Sequence, residues 1–247
     1  MSETETKRRR VPRGLKQDGP AILSYGFRPF FLGAAIWALL AMALWIAALA
    51  TGLPLGGDYG AALWHAHEMV FGFAPAVLAG FLLTAIPNWT GSLPVSGAPL
   101  AGLVALWLAG RLAMAAAGVI GMEPAALVDA VFLPGLLAIA AREIVVGKKW
   151  NDLKVLGGVT AVMLGNLGFH ATLLWGGDPV LALRAAVAGY VLLVLIIGGR
   201  IIPSFTRNWL NQRGESRFPT PYNRFDMGVI GASAATLLLW VVAPETR

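Results

Sequence analysis

Seven apolar runs, each about 20 residues long, constrain this chain more than any other feature. They fall near residues 30–50, 64–86, 98–120, 125–146, 155–175, 180–202 and 227–243. At 1.5 Å rise per residue a 20-residue helix covers about 30 Å, the thickness of a bilayer's hydrocarbon core. The connections are short and rich in Gly and Pro: TGLPLGGDYG, NWTGSLPVSGAP, GMEP, GKKWND, GGDP and SFTRNWLNQRGESRFPTPYN. Charged residues make up only 13% of the 247 and mean hydropathy is +0.69, against about 25% charge in a soluble domain. The expected fold is all-α: a polytopic bundle of about seven membrane spans, over residues 24–247. The lipid bilayer is its first partner. Residues 1–23 read as a basic tail without order, since they are polar, broken by Pro and Gly, and lack a signal peptide's apolar core.

The basic residues orient the stack. Lys7, Arg8, Arg9, Arg10, Arg13 and Lys16 precede the first span. Arg142, Lys148, Lys149 and Lys154 surround the fourth connection, and Arg207, Arg213, Arg217 and Arg224 the sixth. The first, third and fifth connections hold no Lys or Arg, but instead Asp58, Glu123 and Asp178. The positive-inside rule then sets the N-terminus in the cytoplasm, and seven alternating spans satisfy it without conflict. The net charge of +6 is thereby read as topology, not as a nucleic-acid surface. AIPNWTG (85–91) and IIPSFTR (201–207) echo each other, but Pro near a helix end is ordinary punctuation and no repeat is assigned.

There are no cysteines, which excludes disulfides, thiolate metal ligands and iron–sulfur clusters. No phosphate loop, nucleophile elbow or HExxH zinc motif is present, HAHEM lacking the second His at the required offset. The remaining chemistry lies with polar side chains inside the spans, where ionisable groups are functional candidates by default.

All three histidines fall in the outer third of the proposed bundle: His65 and His67 open the second span, and His170 lies about five residues before the end of the fifth. Residues at i and i+2 on a helix point in different directions. His65 and His67 thus serve separate targets, or converge if the helix begins between them. They read as metal ligands or as an interfacial pair whose rings reach water. His170 sits in an apolar helix one turn from Asn166, with Gly165 and Gly168 allowing close approach by a helix or a flat cofactor. Arg111 lies mid-span, and its charge requires a partner; Glu68 is the first candidate and Asp129 the next. Arg184, near an outer end, is a further candidate for an ion pair or an anionic ligand group. Trp64, Trp89, Trp150, Trp175 and Trp209 stand near span ends and read as an interfacial belt. Met69, Met114 and Met163 are thioethers that usually only pack.

SYGFRPFFL (24–32), LWHAHEMVFGF (63–73), AGFLLTAIPNWTG (79–91), LWLAGR (106–111) and GGRIIPSFTRN (198–208) resemble stretches of the NnrS family, from about residue 24 to 243. These are bacterial polytopic inner-membrane proteins associated with nitric oxide and nitrosative stress. The resemblance implies haem, with copper as a further metal, and makes His65, His67 and His170 candidate ligands with Glu68 beside them. It marks Arg28, Asn88 and Arg200 as pattern positions at the inner edge. Family members carry further helices and histidines after the seventh span, so this sequence is expected to cover the N-terminal part of the pattern. A different class stays open: a secondary transporter using Glu68, Arg111, Asp129 and His170 as a proton or substrate path. The geometric expectation is that both His65 and His67 face His170 across the bundle.

Overall fold

The computed structural model describes residues 19–244, and most of the expected basic tail lies outside the described residues. Its last part is ordered: Ala21–Leu23 form a 3-10 turn, and the Arg28 guanidinium donates to the Ala21 carbonyl at 2.8 Å. Among the described residues every regular element is a helix, and seven helical segments are long and apolar enough to cross a membrane. The seven apolar runs are these seven segments.

The first span is α1 (Phe27–Thr51). The second runs from Gly57 to Thr90 without a loop but changes character: α2 (Gly60–His67), a π-helical turn (Glu68–Phe73), then α3 (Ala74–Thr90). The third is α4 (Ala98–Ala115), followed by the short α5 (Ala117–Ile120). The fourth is broken into α6 (Met122–Asp129) and α7 (Phe132–Val146). Pro134 explains the break: it lacks the amide that would bond the Ala130 carbonyl, so the chain restarts a helix there. The fifth is α8 (Leu153–Leu174), the sixth α9 (Val180–Gln212) and the seventh α10 (Arg224–Val242).

Two spans run further than their apolar stretches. α3 continues through Pro87 to Thr90, and α9 through Pro203 to Gln212. Proline removes one ladder bond, but the residues after it still reach their own i−4 carbonyls. The polar NWLNQ segment, expected in the connection, is therefore a helical extension beyond the apolar zone.

In lipid the hydrophobic effect does not press helices together; close packing and interhelical hydrogen bonds do. Two interiors result. One lies toward the ends that carry the acidic connections, around Trp64, Phe71, Met114 and Phe169, all nearly inaccessible. The other lies toward the basic connections, around Leu82, Ile86, Ile144, Val155 and Val159. α10 packs on α9 and buries only Val241. Gly165 seats α8 on α9: a Cβ there would lie 3.0 Å from the Ala186 Cβ and 3.2 Å from the Ala182 carbonyl. The close approach expected of the α8 glycines is that of a helix.

Candidate metal centre

The polar residues of the acidic-end interior come from five elements and meet in one cluster. His67, Glu68, Arg111, Asp129, Asn166 and His170 are each 4% exposed or less. They sit one to three turns from the first, third and fifth connections. Local irregularity puts them there. His67 ends α2 where the backbone widens into the π turn, Glu68 begins that turn, and Asp129 is the last residue of α6 before the break. π turns are rare and frequently lie at functional sites. This one is braced by its neighbours, with the Trp107 indole donating to the Gly72 carbonyl at 2.9 Å and the Tyr190 hydroxyl to the Val70 carbonyl at 2.9 Å.

Arg111 is the hub. Its Nη1 donates to Glu68 Oε2 at 2.6 Å and its Nη2 to Asp129 Oδ1. The expected partner was one carboxylate or the other; the forked guanidinium takes both. Two glycines make room. A Cβ on Gly72 would collide with Arg111 Nη1 and lie 2.8 Å from Glu68 Oε2, and one on Gly110 would lie 3.1 Å from Asp129 Oδ1. The Trp37 indole adds a third donor to the carboxylates, reaching Glu68 Oε2 at 2.7 Å.

The free oxygens of these carboxylates hold the imidazoles. Glu68 Oε1 lies 3.0 Å from His67 Nδ1. Asp129 Oδ2 lies 3.3 Å from His67 Nε2 and 3.0 Å from His170 Nε2, and accepts from Asn166 Nδ2 at 2.8 Å. His67 Nε2 also faces Asn166 Oδ1 at 3.2 Å. On the far side of His170, Nδ1 meets the Tyr59 hydroxyl at 3.0 Å, and that hydroxyl donates to the Met122 carbonyl at 3.3 Å. Phe71 and Phe169 close the site, their ring centroids 5.3 and 5.0 Å from that of His67.

Both nitrogens of His67 therefore face oxygen acceptors. The ring satisfies both only by carrying a second proton, or by giving its Nε2 lone pair to a cation. Charge counting agrees. With neutral imidazoles, two carboxylates oppose one guanidinium, and one positive charge balances the cluster.

His67, Asp129 and His170 form a group that can hold a metal ion, with donor atoms all within 4.8 Å of one another. A tetrahedral ion with bonds near 2.0–2.1 Å spaces its ligand atoms about 3.3 Å apart. The two carboxylate-to-imidazole separations already match that spacing. Each imidazole also has its other nitrogen fixed, His67 by a carboxylate and His170 by a phenol, as metal-binding histidines generally do. The same geometry does not fit a porphyrin between the two rings. Asp129 Oδ2 occupies the space between their Nε2 atoms, clamped there through Arg111.

A family model described as NnrS protein matches residues 21–247. The chain belongs to the NnrS family. Comparisons with curated proteins and with solved structures return no match. Within this NnrS protein the sequence-derived candidates separate. His67, His170, Glu68, Arg111, Asp129 and Asn166 converge, whereas His65 does not face His170. α2 begins at Gly60, five residues before His65, so the two rings of His65 and His67 diverge as regular helix geometry requires. His65 instead stacks on Trp45 with centroids 4.0 Å apart and planes within 8°. Arg184 stands apart on α9, half-buried and without an ion pair among the described residues. Trp64 is not part of an interfacial belt: it is wholly buried, donates to the Met114 carbonyl at 3.0 Å and packs edge-on to Trp37. Trp150, Trp175 and Trp209 are exposed.

Sequence reasoning missed Tyr59 and Trp37. Tyr59 lies in a glycine-rich connection, where nothing marks one aromatic as turned inward. Trp37 lies in an α1 that is apolar all round, where no polar stripe singles out a face.

Proposed function

We propose that this chain is a membrane metalloprotein of the nitrosative-stress response that holds one copper ion through His67 Nε2, His170 Nε2 and Asp129 Oδ2. The observation that carries the reading is the buried His–Asp–His group with both imidazoles already oriented from behind. Two imidazoles and a carboxylate suit several divalent metals, and Cu(II) is the most tightly held of the first-row series. When bound there, such an ion supplies a redox-active centre for a small ligand such as nitric oxide. On the positive-inside rule the site lies toward the periplasmic face of a bacterial inner membrane. Haem held between His67 and His170 is not carried forward, for the steric reason given above.

The chain's own residues do four things in this account. Glu68 accepts from His67 Nδ1–H and so directs the Nε2 lone pair inward. Tyr59 does the same for His170, accepting from Nδ1–H while its own O–H donates to the Met122 carbonyl. Arg111 pairs with Glu68 and Asp129 and fixes both, so that Asp129 Oδ2 points at the imidazoles. Phe71 and Phe169 exclude water, which strengthens every charge interaction inside.

A second reading rests on the same surplus charge. A single proton on His67 neutralises the cluster, which a divalent ion overshoots by one charge, and a buried group that holds one proton is what a proton-coupled transporter needs. Equilibrium dialysis of purified protein against Cu(II) separates the two. The metalloprotein reading expects one ion per chain, lost in His170→Ala and Asp129→Asn but kept in His65→Ala. Loss of no more than background copper in these variants refutes it.

A further inference from the structure

The polar cluster leaves three of the quoted stretches unused: SYGFRPFFL, AGFLLTAIPNWTG and GGRIIPSFTRN. The fold brings these three together at the other end of the bundle. The first turns of α1, the second half of α3 and the part of α9 around Pro203 enclose a cavity of about 600 Å³. Pockets for small organic ligands are about 300–1,000 Å³.

Its walls are aromatic. Phe27, Phe31, Phe81, Trp89 and Phe205 line it, with Phe81 and Trp89 packed edge to face at 6.3 Å. Aromatic walls favour a flat ring, which stacks or meets them edge-on. The polar groups decide what kind of ring. Arg200 lines the cavity, but its Nη1 donates to Asp152 Oδ1 at 2.7 Å and its guanidinium lies over the Trp89 ring at 5.5 Å. Its charge is matched within the protein. Thr84 Oγ1 is committed to the Gly80 carbonyl at 2.8 Å. Asn88 Nδ2 uses one N–H on the Thr84 carbonyl at 3.1 Å and keeps the other. The Ser204 hydroxyl has no hydrogen-bond partner among the described residues. The groups left to a ligand are thus neutral donors on an apolar, aromatic surface that opens at the edge of the membrane.

We propose that this cavity binds the head of a membrane quinone, a neutral flat ring with carbonyl acceptors. The ring lies among Phe31, Phe81, Trp89 and Phe205. Ser204 O–H and the second Asn88 N–H donate to its carbonyl oxygens, and its apolar tail leaves into the lipid. A phospholipid fits less well, because its phosphate seeks an unmatched cation and Arg200 is already paired. The site is separate from the metal centre and stands or falls independently of it.

The test is photolabelling of the full chain in phosphatidylcholine nanodiscs with an azido-substituted quinone, followed by peptide mapping. Label is expected on residues 80–89 and 197–205, displaced by excess decylubiquinone and not by the same amount of phosphatidylglycerol. Asn88 and Ser204 are exposed, so the double variant Asn88→Ala, Ser204→Ala is expected to keep the wild-type unfolding midpoint. It should need about tenfold more quinone for equal labelling, the effect of losing two modest hydrogen bonds. Label scattered over the lipid-facing spans, displacement by phosphatidylglycerol as effective as by quinone, or labelling unchanged in the double variant would each overturn the proposal.

Discussion

Replacing Arg111 by methionine keeps an unbranched apolar stem and removes the charged guanidinium. It leaves Glu68 and Asp129, both 2% exposed or less, in a dry site where His67 is the one neighbour of both carboxylates that can still carry a counter-charge. Breaking a buried ion pair by removing one partner costs about 3–5 kcal/mol. An upper limit comes from the escape route: a carboxyl with an ordinary pKa near 4 takes up a proton at pH 7 for about 4 kcal/mol. Protonating one carboxyl removes half of the uncompensated charge, so the expected loss is about 4 kcal/mol and not twice that. Neutral interhelical hydrogen bonds in membranes average only about 0.6 kcal/mol, so the measurement distinguishes an ionic hub from ordinary polar contacts. The assay is reversible unfolding in mixed micelles with increasing dodecyl sulfate, followed by helical circular dichroism. Arg111→Lys should lose about half as much, since one ammonium does not reach Glu68 Oε2 and Asp129 Oδ1 in the fork that two guanidinium nitrogens make. The triple change Arg111→Met, Glu68→Gln, Asp129→Asn should recover much of the loss, because no uncompensated charge remains. A loss below about 1 kcal/mol in Arg111→Met would refute the argument that this pairing holds the site.

Gly72→Ala puts a methyl group against Arg111 Nη1 and Glu68 Oε2; a cost of about 1–3 kcal/mol is expected in the same assay, as for overpacked interiors. Copper binding that displaces one proton from His67 Nε2 should weaken about tenfold for each unit the pH falls while that proton is bound, measurable by competition with a chelator at two pH values; affinity independent of pH argues against His67 as a ligand. Tyr59→Phe removes the hydroxyl behind His170 and should cost about 0.5–1.5 kcal/mol and lower copper affinity, with the helical spectrum unchanged. Reporter fusions after Arg213 should be active on the cytoplasmic side, and periplasmic activity there would invert the assigned topology.

Much of this arrangement is legible in the residues alone. Hydropathy places all seven spans, because a lipid-crossing helix must be long and apolar whatever it packs against. The cost of charge in hydrocarbon singles out Glu68, Arg111 and Asp129, and requires that they find each other. Asn166 and His170 stand out for the same reason, one turn apart on an apolar helix. What periodicity does not supply is the phase of a helix whose start is unknown. His65 and His67 are two residues apart, and which one turns inward depends on α2 starting at Gly60 and on the π turn that follows. The π turn itself leaves no mark in EMVFGF, since it is fixed by Trp107 and Tyr190 donating from other spans. The break after Asp129 is partly legible, through Pro134. Tyr59 is not, because a loop aromatic reveals its direction only once the helices around it are packed.

The most direct test of the metal centre is electron paramagnetic resonance of the protein loaded with one equivalent of Cu(II). Nitrogen hyperfine structure from two imidazoles is expected in the wild type and in His65→Ala, and from one imidazole in His170→Ala and in His67→Ala. A two-nitrogen spectrum that survives the loss of His170 and disappears with His65 would contradict the account.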